Sequence, residues 1–303
     1  MLRTFFYGLC MGCADIVPGI SGGTVAFILG FYEKLIALMT GVDRQLLALL
    51  FQGRFKEAGA RWPWQFALAL LSGILLAFAL FSNLFHFLLQ HPLYRVYLYA
   101  GFMGFILASA SMLIRQVKGF KPFYLLLFLV GSAAGWLLSG PELALAQQST
   151  SNPLWIILSG MCAIAAMLLP GLSGSYMLTI LGVYPIAIAA VANFSSGIRH
   201  LRIEWDALFF LSNLLIGIIV GAALFSRLIT WAFRHVHDAM LFLLIGFMLG
   251  AIRSLWPFWS EEKGAYFPPI SSSLFLTAMA CVVIGYLVVS VMERKNRFRR
   301  GVG

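Results

Sequence analysis

Two short stretches of this chain hold residues whose types and spacing suit them to bind an anion. The first is PGISGGT at 18–24 and the second is PGLSGSY at 170–176. In each, a Pro-Gly pair (Pro18-Gly19, Pro170-Gly171) interrupts an apolar run and marks a structural turn. The residues that follow open a new helical segment. A helix start exposes unpaired N–H groups and the positive end of the helix dipole. Gly22, Gly23 and Gly174 let an anionic head group approach the backbone closely. Ser21, Thr24, Ser173, Ser175 and Tyr176 add hydroxyl donors. The bland alternative is a helix-breaking hinge with packing glycines, but a hinge alone does not need the serines.

Three charged residues sit in apolar surroundings near this chemistry. Asp15 lies three residues before Pro18. A carboxylate within a membrane segment costs about 2.5–3.5 kcal/mol on insertion scales, so it needs a function. It can bind a coupling proton or sodium ion, or it can hold its turn together by accepting backbone N–H bonds; the sequence leaves both open. Glu33 is the second candidate coupling group. Arg253 lies in an apolar helix, where it either snorkels to the interface or guides an anion. An enzyme reading also exists. The GxSG of each stretch resembles the motif of intramembrane serine proteases, with His86 as the helix-interior partner. A duplicated, symmetric motif suits a cradle better than one nucleophile. No metal or cofactor signature accompanies it, and no Walker motif is present.

The elements that must position these residues are membrane helices. Of the 303 residues, 61% are hydrophobic and 11% charged, a balance foreign to soluble domains of this length. The strand alternation of a membrane barrel is absent. The stretch 5–39 is too long for one crossing of about 20 residues, and each part is too short to cross alone. It reads as a re-entrant helical hairpin that turns at PGISGG. A second hairpin is expected at 154–193. Apolar helices are expected at 64–89, 96–114 and 122–139, then at 207–233, 238–256 and 272–292. A polar linker occupies 141–153, and a basic tail occupies 293–303.

The chain is internally duplicated. Pro18/Pro170, Gly19/Gly171, Ser21/Ser173, Gly22/Gly174, Gly30/Gly182 and Tyr32/Tyr184 recur at an offset of 152. ALFSNLFHFLLQH (79–91) matches ALFSRLITWAFRH (223–235), and GFMGFILAS (101–109) matches GFMLGAIRS (246–254). Three collinear blocks divide the chain into repeats at 1–140 and 154–292.

Charge sets the expected orientation. Placing the N-terminus, 40–63, 115–121, 234–237 and the tail on the cytoplasmic side puts fourteen Lys/Arg there and leaves four in the outer loops. This bias requires both hairpins to re-enter. Each half then has three crossings, so the halves are inverted, as in alternating-access transporters. The expected fold is an all-α polytopic membrane protein, an inverted repeat of one re-entrant hairpin plus three transmembrane helices per half. The net charge of +10 fits loops on an anionic leaflet or an anionic substrate. No basic patch with interleaved aromatics points to nucleic acid. Oligomeric state is not legible.

GCADIVPGISGGTVAFILGFYEKLI, with the second PGLSGSYMLTILGVY, resembles the bacterial polyprenyl-phosphate transporter family. The resemblance covers essentially the whole chain, and the paired motif is specific to that family. It implies a multi-pass protein of the bacterial inner membrane that returns undecaprenyl phosphate from the outer to the inner leaflet for carrier recycling. Under that implication, Ser21, Gly22, Gly23 and Thr24 with Ser173, Gly174 and Ser175 form the phosphate cradle. Asp15 or Glu33 is then the coupling group. A secondary transporter of a small anion is the alternative; it would use the same cradle without a lateral opening to lipid.

Overall fold

The computed structural model describes residues 1–17, 21–139, 152–170, 173–199, 202, 204–260 and 264–300. The first half supplies α1 (Leu2–Ile16), α2 (Gly22–Ile28), α3 (Tyr32–Thr40), α4 (Arg44–Phe51), α5 (Phe55–Arg61), α6 (Trp64–Gln90), α7 (Pro92–Ile114) and α8 (Pro122–Leu138). The second half supplies α9 (Pro153–Leu168), α10 (Gly174–Ile180), α11 (Tyr184–Arg199), α12 (Trp205–His235), α13 (His237–Gly250) and α14 (Ser273–Arg300). A 3-10 turn, Ala251–Leu255, prolongs α13. A two-residue antiparallel ribbon pairs β1 (Trp259–Ser260) with β2 (Gly264–Ala265).

Among the described residues, five helices are long and apolar enough to cross a membrane: α6, α7, α12, α13 with its 3-10 extension, and α14; the bent pair α10–α11 passes the same test taken together. The chain is a multi-pass α-helical membrane protein. α8 is apolar but has 17 residues, short of the usual span of about 20. Outward side chains such as Leu68, Leu75, Leu125, Leu129, Ile284 and Leu287 are exposed. That is the surface a lipid solvent requires.

The first motif helix folds back. Gly22, at the start of α2, faces Met11 and Asp15 of α1. Gly174, at the start of α10, faces Ala163 and Met167 of α9 in the same way. The sequence reading treats each second arm as one helix to about 39 or 193. Each is instead broken again, at Gly30 (φ 73°) and Gly182 (φ 72°). These glycines take the left-handed conformation that ends a helix. The closing bonds are the same in both copies: Phe31 N–H to the Ala26 carbonyl at 3.0 Å, and Val183 N–H to the Leu178 carbonyl at 2.9 Å. Beyond the break the second copy bends by 115° into α11.

Other elements also outrun their expected limits. The basic connector 40–63 forms α4 and α5, with Asp43 capping α4 through the Leu46 N–H at 2.8 Å. The 194–206 loop begins only after α11 ends at Arg199, and α14 continues to Arg300 where a tail was expected from 293.

Packing repeats the duplication. α1 lies on α6 and α9 lies on α12. Gly8 and Gly73 make the first contact and Gly160 and Gly217 the second; a Cβ on any of them would strike the facing backbone. Small residues at such crossings let helices approach closely where lipid removes the hydrophobic drive. The other pairings cross between halves. α7 packs with α14, and α8 packs with α13. Since α13 corresponds to α7 and α14 to α8, the exchange is reciprocal. Residues of both halves, including Met11, Val17, Phe31, Tyr32, Leu113, Leu168, Leu244 and Met248, share one core cluster.

Candidate functional site

The first motif meets the end of α9. Ser21 caps α2: its hydroxyl accepts the Gly23 N–H at 3.1 Å. The same hydroxyl donates to the Met167 carbonyl at 3.4 Å. The Gly22 N–H donates to Asp15 Oδ1 at 2.7 Å. Thus the carboxylate of the first arm already faces the N-terminal end of the second. Tyr32, beyond the Gly30 break, donates its hydroxyl to the Leu168 carbonyl at 2.6 Å. Met167 and Leu168 end α9, where the last carbonyls of a helix have no partner in their own ladder. The first hairpin therefore caps the second.

Among the described residues, the second hairpin does not return these bonds. Ser173 Oγ lies 2.9 Å from Ser175 Oγ. Tyr184, the counterpart of Tyr32, is 37% exposed while Tyr32 is 4% exposed. Ser21, Thr24 and Ser173 are all buried. Gly23 packs on the Met167 carbonyl, which leaves no room for a side chain. Pro170 is buried just after α9. Pro18, Gly19 and Gly171 lie outside the described residues.

A cavity of about 1030 Å³ opens beside this junction. Phe27, Ile28, Gly30 and Tyr32 of the first hairpin line it. Met112, Thr230 and Phe233 add further wall. Glu33, Arg115, Arg234, His237 and Glu293 also line it. These five come from α3, the end of α7, the end of α12, the start of α13 and α14. Glu293 is buried, and its Oε2 lies 3.9 Å from Arg115 Nη1 on the half-exposed guanidinium. Asp238 accepts the N–H groups of Lys118 at 3.3 Å and Gly119 at 3.0 Å, which ties the loop after Arg115 to α13. His237 Nδ1 lies 3.0 Å from Asp238 Oδ1. The cavity lining combines apolar side chains with two guanidiniums, a combination that can take an anionic head on an apolar body.

At its other end the α7–α14 pair is filled. Phe258 is buried with Val96, Ala100 and Ala278, backed by Trp256 and Tyr266. The Tyr266 N–H bonds the Phe258 carbonyl at 3.0 Å, and Trp256 Nε1 donates to the Tyr266 carbonyl at 3.2 Å. The molecule is open around Arg115 and closed around Phe258.

The residues nominated from sequence fall into separate places. Ser21, Gly22 and Gly23 sit with Asp15 and the end of α9; Ser173 and Ser175 face each other and Gly174 packs on α9 within the second hairpin; Thr24 and Tyr176 lie on the opening turns of α2 and α10. Glu33 lines the cavity. Arg253 does neither: it lies in the 3-10 turn with its guanidinium 4.8 Å above the Trp136 ring. Among the described residues, no histidine bonds Ser21 of the protease motif. Ser21 bonds Gly23 and Met167, and His86 Nε2 faces Gln90 at 2.9 Å. Sequence reasoning missed Arg115, Arg234, His237 and Glu293 as cavity residues. The available signal was that Arg115 and Arg234 end their helices on the same, positively charged side.

A family profile described as VCA0040-like, undecaprenyl phosphate translocase-like, matches residues 11–271. A polyprenyl-phosphate transporter of Vibrio cholerae serotype O1 is 32% identical over 265 residues, covering 86% of this chain and 79% of the relative. A polyprenyl-phosphate transporter of Staphylococcus aureus is 29% identical over 299 residues, covering 95% and 94%. No solved structure matches.

Proposed function

The chain belongs to the undecaprenyl phosphate translocase-like family, and from that premise we propose that it carries a polyprenyl phosphate between the leaflets of the bacterial inner membrane. The observation that carries this reading is the cavity. Two guanidiniums, Arg115 and Arg234, line it together with Phe27, Ile28 and Phe233. A phosphate head can enter there while the isoprenoid tail stays in lipid. No group in this account is a nucleophile; the work is binding and release.

The transport cycle is alternating access by two inverted, re-entrant repeats. Two features support it. The interhalf pairings α7–α14 and α8–α13 are reciprocal, as a pseudo-two-fold relation demands. The junction is also asymmetric: Tyr32 and Ser21 are bonded to α9, while Tyr184 stands exposed. One conformer of a symmetric pair has this character. Arg115 and Arg234 lie on the side that the charge bias assigns to the cytoplasm, so this conformer is inward-open, with both termini inside. The net movement is outer to inner leaflet.

In the cycle the head passes from the cradle of Ser21, Gly22, Gly23, Thr24, Ser173, Gly174, Ser175 and Tyr176 to the arginines. In the inward-open conformer the Gly22 and Gly23 N–H groups are held by Asp15 and Ser21. The Gly22 N–H is therefore released only when α1 and α2, the two arms of the first hairpin, part. Arg253 receives the head group on the outer side. Asp15 and Glu33 are the carboxylates nominated to bind a coupling ion.

The test is leaflet exchange of a labelled undecaprenyl phosphate in proteoliposomes. A charge-assisted hydrogen bond contributes about 1.5–3 kcal/mol, and about 1.4 kcal/mol is tenfold in binding. Arg115→Ala with Arg234→Ala is expected to slow exchange by about tenfold or more, and Ser21→Ala with Ser173→Ala to slow it as well. Absence of exchange by folded wild-type protein, with uptake of inorganic phosphate instead, overturns the lipid reading in favour of a small-anion transporter.

A further inference from the structure

A lipid whose head group sits in the cavity still has a tail to place. Drawing methylenes out of hydrocarbon into water is unfavourable, so a long isoprenoid tail has to run from the cavity straight into the bilayer. Two of the helices around the cavity must therefore stand apart.

The order of packing shows which two. α3, α12, α13, α7 and α14 all contribute residues to the cavity. α3 packs on α12, α13 packs on α7, and α7 packs on α14. α12 and α13 touch and are joined at Val236, between the cavity residues Arg234 and His237, so the wall is shut there. Among the described residues, α14 and α3 make at most a marginal contact. The wall is thus an open chain of five helices whose two ends do not close on each other.

The slot between those ends has a stop and two edges. Ile28 of α2 shares a small buried cluster with Ala108 and Met112 of α7 and Val289 of α14. That cluster closes the slot at Val289; Glu293, one turn further along α14, lines the cavity. On this stretch of α14, Val288 and Val291 are exposed, and the apolar span runs to Glu293, so the edge belongs to hydrocarbon. On α3, Glu33 and Ala37 share a face at i, i+4. Both are exposed and both line the cavity. Ala37 presents only a methyl group there.

Resting on the transport reading above, we propose that the slot between α3 and α14 is the binding site for the isoprene units next to the phosphate. The head group lies inside the cavity, and the tail leaves between these two helices into the cytoplasmic leaflet. The Ile28–Val289 cluster limits how far the tail can travel along α14 in this conformer.

The test uses undecaprenyl phosphate with a diazirine on the isoprene unit next to the phosphate. It is photolysed with the purified protein in lipid nanodiscs, with and without excess unlabelled lipid, and the adducts are mapped by mass spectrometry. The adducts that unlabelled lipid competes away are expected on Tyr32–Thr40 of α3 and on 286–292 of α14. Competed adducts confined to α12, α13 or α7 overturn the slot. The second measurement is leaflet exchange by Ala37→Trp, which fills the slot from an exposed position, with its melting temperature taken to show that it folds. Exchange is expected to slow at least tenfold and the competed adducts on α14 to be lost. Val220→Trp, on the exposed face of α12 away from the cavity, is expected to match wild type. If folded Ala37→Trp exchanges lipid at the wild-type rate, or if Val220→Trp slows it equally, the slot is not the route of the tail. If wild-type protein gives no competed adduct anywhere and exchanges no lipid, the transport reading itself fails, a result distinct from competed adducts in the wrong place.

Discussion

A carboxylate at residue 15 answers a backbone problem that the turn creates. Where α2 begins, its first N–H groups have no helical partner, and in a lipid-embedded hairpin water cannot supply one. Asp15 takes the Gly22 N–H and Ser21 takes the Gly23 N–H. Leaving a buried donor unsatisfied costs about 1–3 kcal/mol. Asp15→Ala is therefore expected to lower the melting temperature of the detergent-solubilised protein, and Asp15→Asn, which retains an acceptor oxygen, to restore most of it. If the alanine variant melts with wild type, Asp15 does not hold the hairpin. As an out-of-place charge Asp15 was legible in the sequence, and so were the two serines. Arg115 and Glu293 were not. Each reads as an ordinary helix-end residue, and their meeting depends on α7 packing with α14, which nothing local to either residue announces.

At the scale of elements, the recurring Gly-x-Tyr was visible as a repeat, but its physical content was not. A glycine in an apolar run does not declare its φ. Gly30 and Gly182 each stop a seven-residue helix in the left-handed conformation, and this is why the second arm of each hairpin fails to run on. The break turns Tyr32 toward α9. A side chain in that conformation costs about 1–2 kcal/mol. Gly30→Ala and Gly182→Ala are each expected to destabilise by that amount in thermal unfolding. Gly101→Ala is the control. Gly101 lies within α7 with open space where a Cβ would go, and alanine is favoured over glycine in a helix by about 1 kcal/mol. Its melting temperature should stay level or rise. Equal losses at all three positions would mean that the left-handed breaks are not what matters. Helix ends were the least legible feature: α11 and α14 both extend past the expected limits, because polar residues continue a helix without the apolar period that reveals it.

For the whole molecule, the duplication was readable from three collinear blocks, whereas the breaking of its symmetry was not, since matching residues look alike in sequence whichever state they occupy. Tyr32 is bonded to the Leu168 carbonyl, and the cavity lies open on its side. The offset that relates the repeats pairs Leu168 with Ile16, so the proposed alternating-access cycle predicts an opposite conformer with Tyr184 bonded to the Ile16 carbonyl and Tyr32 released. On that proposal the Tyr32 bond belongs to the inward-open state alone. A net hydrogen bond of about 1 kcal/mol is a factor of about five in population. Tyr32→Phe removes that bond without changing the ring that packs edge-on to Phe233. It is expected to move the population away from the inward-open state by about that factor, whereas Tyr184→Phe favours the inward-open state or leaves it unchanged. The reporter is Ala37→Cys on the cavity wall, labelled in membrane vesicles of known orientation by a maleimide that cannot cross the bilayer. Labelling from the cytoplasmic face should slow in the Tyr32→Phe background and persist or quicken in the Tyr184→Phe background. Arg202→Cys, in the loop that follows α11, should label only from the opposite face; labelling there from the cytoplasm would remove the inversion of the repeats. Equal slowing by both tyrosine variants would show that neither hydroxyl distinguishes the two conformers, and the exchange of bonds between hairpins would then not be the switch.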